Sequence, residues 1–369
     1  MKILVDAMAA EFGGIRTYVE HLLGHWSDHH PEDELHVIIP VGSSLPTVGH
    51  VRHELRVRRP RMIGRPWAQT RHLRRLARLV DADAVLVTAP TTTVLRAGPP
   101  MVIVILDLRH ELRPEQFSRK TKLLRRISYG RSYRLADGFL SISQRSLDDL
   151  HELHSELRAT PSAVVYLGAD HVQSWPEPTR SGPSITFAHH SNKNLDLIID
   201  GWSELHERGA VVPPLLVLGV GSARERVAAL IASRGLSTYV TLAPFLPEAE
   251  FKQAMTDAEM IIFPSDFEGF GLPVVEGMQL SKAVVIGPER ATTEIGGGHA
   301  FVMADWSPRA LADAVLEARG MTDEARENAR MWGLEFSWEQ TVRGTRLMLD
   351  RLAVGAAAST RRGNSQNPR

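Results

Sequence analysis

Short runs of aliphatic and β-branched residues alternate along this chain with longer stretches whose apolar positions recur every three or four residues. "KILVDAM" is followed by "GIRTYVEHLLGHW", then come "ELHVIIPV", "AVLVTA", "MVIVILDL" and "GFLSIS". Runs of that length predict buried strands, and the helical period between them predicts helices packed on a sheet. Repeated strand–helix units imply a parallel sheet covered by helices. The rhythm pauses at "VQSWPEPTRSGPS", residues 172–184, where three prolines, serines and a glycine predict a linker. It restarts with "SITFA", a helix from about Asn194, "PLLVLGVG", "ARERVAALIASRG", "VTLAPF", "EAEFKQAM", "MIIFPS" and "AVVIG".

The pattern therefore predicts an α/β fold of two Rossmann-like, doubly wound parallel-sheet domains, residues 1–171 and 185–335, joined by the 172–184 linker and facing each other across a cleft. "FSWEQTVRGTRLMLDRL" predicts a last amphipathic helix over 336–352, and residues 353–369, polar and aperiodic toward their end, predict a disordered tail. Ligands of such sheets sit beyond the carboxyl ends of the strands.

Length and composition narrow the chemistry. At 369 residues the chain is long enough for two cores, and 43 basic residues balanced by 43 acidic ones argue against general nucleic-acid binding. The absence of cysteine excludes disulfides, thiolate metal sites and cysteine nucleophiles, and suits a reducing cytosol. The N-terminus enters a strand-like run directly, and no window approaches eighteen consecutive apolar residues, so a soluble cytoplasmic protein is expected.

One segment breaks the apolar rhythm with chemistry. In "FPSDFEGFGLPVVEGMQLSKAVVIG", residues 263–287, a buried strand runs into an acidic, glycine-bearing loop. Pro273 suits the first turn of the helix that follows, and Glu276 lies on that helix. Gly269 and Gly271 permit close backbone approach, so N–H groups and the positive end of the helix converge on an anion. A carboxylate beside them accepts two hydrogen bonds from a vicinal diol, which points to a sugar or ribose next to a phosphate. Taken singly, Glu276 reads as well as a first-turn acid and the glycines as turn residues; it is the combination that argues for a site.

That segment resembles the signature of family 4 glycosyltransferases of the GT-B fold, in which two glutamates are separated by seven residues. The resemblance extends from "DAMAAEFGGIRTYVEHLL" to "FSWEQTVRGTRLML". It implies a nucleotide-diphosphate sugar donor held mostly by the C-terminal domain, an acceptor held mostly by the N-terminal domain, and transfer with retention of configuration. It also implies no permanently bound cofactor and no metal. On this resemblance Glu276 binds the donor ribose, Glu268 lies near the transferred sugar, and the backbone of Gly269, Phe270, Gly271 and Leu272 lines the sugar and phosphate pocket. The last helix is implied to cross back onto the N-terminal domain.

Three further stretches contribute candidates. In "AHHSNKNLDLIIDGW", Lys193 precedes a helix and suits a diphosphate. Relatives carry an arginine a few residues earlier, where this chain has His189 and His190, so His190 is the candidate second donor to the diphosphate. Gly13 and Gly14 follow the first strand and open the first helix, where amides approach a phosphate or sugar oxygen; Arg16 lies one turn on. Asp107 leaves the carboxyl end of a strand in "VIVILDLRHELRPEQFS", where relatives have His-Asp and this chain has Leu106 in the histidine's place. His110 is a candidate substitute for that histidine, and Ser143 of "FLSISQRS" a candidate for bordering the cleft.

Lys193, Glu268 and Asp107 thus form the expected catalytic set. No covalent nucleophile emerges, and a front-face route in which the departing phosphate takes the acceptor's proton is what the resemblance implies. "VRHELRVRRPRMIGRPWAQTRHLRRLARL" and "RKTKLLRRISYGRSYR" are arginine-rich, and the second interleaves apolar residues as a helix lying on an anionic membrane would; a solvated basic face reads equally well. A cell-envelope glycan, a lipid-linked acceptor and a small natural product all stay open. The competing classes are a nucleotide-sugar epimerase or phosphorylase on the same fold, and a catalytically silent partner subunit.

Overall fold

The computed structural model describes residues 1–189 and 191–365, with the side chains followed to residue 356. His190, a candidate diphosphate ligand, lies outside the described residues. Two compact units emerge, one of residues 1–168 with 338–369, the other of residues 169–337.

In the first unit seven strands form one sheet: β1 (Lys2–Asp6), β2 (Glu34–Pro40), β3 (Val51–Leu55), β4 (Ala84–Val87), β5 (Met101–Ile105), β6 (Gly138–Ser141) and β7 (Ser162–Val164). Their order is β3-β2-β1-β4-β5-β6-β7, and every pairing is parallel. The second unit has β8 (Ser184–Phe187), β9 (Leu215–Leu218), β10 (Val240–Leu242), β11 (Met260–Phe263), β12 (Ala283–Ile286) and β13 (Phe301–Val302) in the order β10-β9-β8-β11-β12-β13, again parallel throughout. The central strands β4, β5, β8, β11 and β12 are buried residue by residue. That is why they read as unbroken apolar runs rather than alternating ones. Each sheet winds outward from its first strand in both directions, so the switch points lie between β1 and β4 and between β8 and β11. At those places neighbouring loops diverge and leave a crevice beyond the carboxyl ends.

The segment 172–184 is not a free linker: it packs on the second unit. Val172 and Trp175 join the core around Ile185 and Phe263, Thr179 Oγ1 donates to Asp257 Oδ1 at 2.9 Å, and the Lys282 ammonium donates to the carbonyls of Thr179 and Thr256. Proline in this stretch stops a helix without stopping the half-buried tryptophan from packing on the core.

The last helix, Trp338–Ser365, lies with the first unit. Trp338 is fully buried and stacks on His21 at 4.9 Å, and Arg346 Nε reaches Asp33 Oδ2 at 2.6 Å. Asp33 also takes the Met1 ammonium at 2.5 Å and Trp26 Nε1 at 3.2 Å, so one buried carboxylate ties both ends of the unit together. The helix continues to Ser365, past the end at 352 that amphipathic periodicity predicts. No proline intervenes and the alanines of "AVGAAAST" carry the highest helix propensity, offsetting Gly355, so the backbone propagates after the apolar stripe has ended.

Candidate active site

The loop after β11 and the loop after β8 meet at the second sheet's switch point. Asn192 O accepts from Asp266 N at 2.9 Å, and Asn194 Nδ2 donates to Pro264 O at 2.9 Å. Asn194 adopts a left-handed conformation, φ +50°, a region that asparagine tolerates better than most residues. This turn sets the start of the helix Leu195–Glu207 and directs Lys193 toward β11.

There Lys193 Nζ lies 2.6 Å from Glu268 Oε1 and 4.0 Å from the centre of the Phe263 ring. The same carboxylate oxygen is approached by Asn192 Nδ2 at 2.9 Å and by Ser265 Oγ at 2.5 Å. Asn192, Lys193 and Ser265 are all buried. A carboxylate so heavily donated to is held in one orientation, and an ammonium lodged between it and an aromatic face loses little freedom when a ligand arrives. Asn192 and Ser265 carry no motif-level signal in the sequence; only the meeting of the two loops gives them a role.

Gly271 precedes the helix Leu272–Gln279 with φ +109°, and a Cβ there would stand 3.1 Å from Thr292 Cγ2. The torsion thus favours glycine here, and a larger residue would also require Thr292 to shift. Gly269 and Leu272 are partly exposed, whereas Phe270 turns inward and meets Phe336 edge-on at 5.9 Å. Glu276, one turn into the helix and 7% exposed, lies 3.2 Å from His171 Nε2. His171 sits in the short helical turn Asp170–Ser174, and sequence reading passed over it because 105 residues separate it from its partner. Exposed His189 packs near Phe187 and Phe245.

The other candidates belong to the first unit. Gly13, φ +68°, opens the helix Gly13–His29, and neither it nor Gly14 has an atom within 4 Å of where a Cβ would be. Arg16 is engaged with Ser44. Asp107 Oδ1 accepts from Arg109 N at 2.9 Å, folding the chain into a turn after β5. His110 does not present itself as a ligand-facing group: it is 5% exposed, edge-on to Tyr129 at 4.3 Å, with Nε2 3.2 Å from Glu111 Oε1. Ser143 is buried and caps the helix Gln144–Leu153 by accepting from Ser146 N at 3.1 Å.

Burial pushes the Glu111 carboxyl up, but the imidazoles of His110 and His154 outweigh it and hold the group at about 2, below the ordinary 4.5. His154 Nε2, 3.0 Å from Glu111, is raised above 6.5 chiefly by that bond. Glu111 therefore stabilises the unit fully above pH 4.5 and loses that contribution as pH falls toward 2. His154 contributes fully below pH 6.5 and loses its share as pH rises through its raised value. After a discount for the partial exposure of Glu111, Glu111→Gln should cost about 2 kcal/mol near pH 5.5, and less at pH 9, because His154 gives up its proton as pH rises. Urea unfolding at the two pH values checks this, and an equal loss at both would refute the coupling.

Comparison with known proteins places this geometry. Residues 184–319, which hold Lys193, Glu268 and Glu276, match the family model described as glycosyl transferases group 1. Curated relatives include an uncharacterized glycosyltransferase of Methanocaldococcus jannaschii (26% identical over 173 residues, 44% of this chain and 45% of that protein). Others are the O-antigen chain mannosyltransferase B of Escherichia coli (25% over 165 residues, 42% and 43%) and the alpha-D-kanosaminyltransferase of Streptomyces kanamyceticus (21% over 252 residues, 63% and 65%). The chain thus spans between 43% and 65% of the length of these relatives. Among solved structures, Anabaena HepE in complex with UDP superposes with a TM-score of 0.73 at 17% identity, covering 95% of this chain and 100% of that one. The sucrose-phosphate synthase of Thermosynechococcus elongatus superposes at 0.72 and 14% identity, covering 96% and 100%. The two parallel-sheet units are those of the GT-B fold, and within the second unit residues 184–319 are similar to the group 1 glycosyl transferases.

Proposed function

We propose that this protein is a retaining glycosyltransferase of the family 4 kind, moving a sugar from a nucleoside diphosphate sugar to an acceptor hydroxyl without a metal ion. The observation that carries the reading is the convergence of Lys193 and Glu268 at the switch point of the second sheet, with Glu276 on the adjoining helix. The HepE structures were solved with UDP and with UDP-glucose, which supports a uridine donor here.

In this mechanism the bond from the anomeric carbon to the diphosphate oxygen breaks while the acceptor oxygen bonds to the same face of that carbon. The acceptor's proton passes to the departing phosphate. The Lys193 ammonium and the amides at the start of the helix Leu272–Gln279 stabilise the charge that develops on the diphosphate. Glu276 accepts the ribose diol, the backbone of Gly269 to Leu272 lines the sugar, and Glu268 lies beside the sugar as positive charge builds on it. Asp107 and the amides of Gly13 and Gly14 serve the same reaction from the first unit.

Calorimetric titration with UDP, GDP, ADP and UDP-glucose, all in EDTA, tests the donor site. One nucleotide should bind selectively, and a hundredfold excess over its Kd should add about 2.7 kcal/mol of stability. Failure of every nucleotide would remove the reading. Product analysis with and without acceptor and phosphate separates transfer from epimerisation and phosphorolysis.

A peripheral membrane place is supported by the helix Arg119–Leu135, where Leu123 and Ile127 are 60% and 62% exposed one turn apart, with Arg126, Arg131 and Arg134 close by. Among the described residues no helix is long and apolar enough to cross a membrane. Co-sedimentation with phosphatidylglycerol vesicles should occur and should fall in Leu123→Ser/Ile127→Ser; unchanged binding would refute this face as the contact.

A further inference from the structure

A second crevice lies wholly in the first unit, beyond the carboxyl ends of its strands and at the other switch point. Met8 and Glu11 follow β1, Pro40 ends β2, Val57 follows β3 and Thr91 follows β4. The helices Arg61–Leu79 and Arg119–Leu135 supply Arg61, Arg65 and Arg125 as its cationic lining. Its volume of about 220 Å³ is below the roughly 300–1,000 Å³ of sites that enclose a whole drug-sized ligand, so it fits one group of a larger molecule.

The charges in this crevice do not cancel. Glu11, the one acid in its lining, is committed to Arg61 at 2.6 Å. Asp6 lies on the strand beneath, with its carboxylate engaged by Gln69 Nε2 at 2.7 Å, Thr92 Oγ1 at 2.6 Å and Met8 N at 3.3 Å. No carboxylate among the described residues lies within 4.0 Å of the guanidinium of Arg65 or Arg125. Arg65 Nε is shut off from solvent with no acceptor, and Arg125 is held over the Phe117 ring at 4.7 Å. A buried donor without an acceptor costs about 1–3 kcal/mol unless something fills the role. Two planar guanidinium groups without counter-ions match a dianion, whereas a single carboxylate would leave one of them unanswered.

We propose that this crevice holds a phosphate group carried by the acceptor, with Arg65 and Arg125 as its ligands and Arg61 at the rim. The inference rests on the glycosyltransferase reading and narrows its acceptor to phosphorylated molecules, either a soluble sugar phosphate or a lipid bearing a phosphate monoester. Phosphate recognition by paired arginines is expected to weaken as salt rises.

The test is calorimetric titration of the full chain with glucose 6-phosphate, glucose as the uncharged control and inorganic phosphate as the bare group, each repeated in excess UDP. A parallel arm compares phosphatidic acid vesicles with phosphatidylglycerol vesicles. Glucose 6-phosphate is expected to bind at least about tenfold more tightly than glucose, through charge-assisted bonds, and to be unaffected by UDP. Arg65→Gln/Arg125→Gln should lose that gain while UDP affinity stays within about twofold. Arg125→Gln alone, on a partly exposed helix face, serves if the double variant does not fold, and should lose part of the gain. A preference for phosphatidic acid that both variants lessen identifies a lipid-borne phosphate; phosphate binding without it identifies a soluble acceptor. Lack of phosphate discrimination in both arms, displacement of glucose 6-phosphate by UDP, or undiminished affinity in the variants overturns the proposal. Should UDP fail to bind while phosphate discrimination persists, the donor reading fails and the arginine site stands.

Discussion

Lys193→Ala is expected to lower turnover by roughly 100- to 1,000-fold, the usual cost of removing one donor from a site where charge develops. Its ammonium is the side-chain cation seated at the switch point of the second sheet, 2.6 Å from Glu268 and over the face of Phe263. The substitution also removes one of the groups that compensate Glu268. Breaking a buried ion pair costs about 3–5 kcal/mol when the surviving charge is stranded. Glu268 keeps Asn192 and Ser265 and is 17% exposed at its side chain, so the loss of stability should fall below that range.

Glu268→Gln separates the two effects, because the amide oxygen still accepts from Lys193 while the negative charge beside the developing cation is gone. It should bind the nucleotide normally and turn over slowly. Initial rates give kcat and calorimetry gives the donor Kd for each variant. Unimpaired turnover in Glu268→Gln would take this carboxylate out of the chemistry, and unimpaired turnover in Lys193→Ala would leave the diphosphate without its proposed partner.

Glu276→Ala should weaken donor binding by roughly 10- to 100-fold with a smaller effect on the chemical step, since a hydrogen bond to a charged group contributes about 1.5–3 kcal/mol. The informative comparison is UDP against 2′-deoxy-UDP. The native protein should prefer the ribonucleotide, and the variant should lose the preference because the diol's acceptor is gone. A variant that still discriminates the two would place the ribose elsewhere. His171→Gln acts differently: it leaves the carboxylate in place and removes the imidazole 3.2 Å from it, so affinity should fall while some ribose preference survives. That split marks His171 as a positioning residue.

The signature residues were legible because strand, glycine loop, proline and second glutamate are contiguous, and a local sequence reports local geometry directly. Asn192, Ser265 and His171 were not, since their importance lies in partners 76, 3 and 105 positions away, the near one included because its role depends on the loop after β8. His110 shows the converse. As a polar residue just past a strand it read as reaching for ligand, yet its ring is buried edge-on to Tyr129, a pairing that depends on how two separate helices pack. The stretch 172–184 misled in the same way: its prolines do exclude a helix, but Trp175 and Thr179 find partners in the second unit that composition does not report.

By itself, then, the sequence determined two parallel α/β units and the loop and helix that carry the two glutamates, because apolar periodicity and turn chemistry act over a few residues at a time. Which side chains stand together was decided only by the tertiary structure. The winding of each sheet brings the loops after β8 and β11, and those after β1 and β4, to common points from distant parts of the chain. Lys193 against Glu268, His171 against Glu276 and Arg65 gathered with Arg125 at one crevice are consequences of that winding, and no window of sequence contains both halves of any of them.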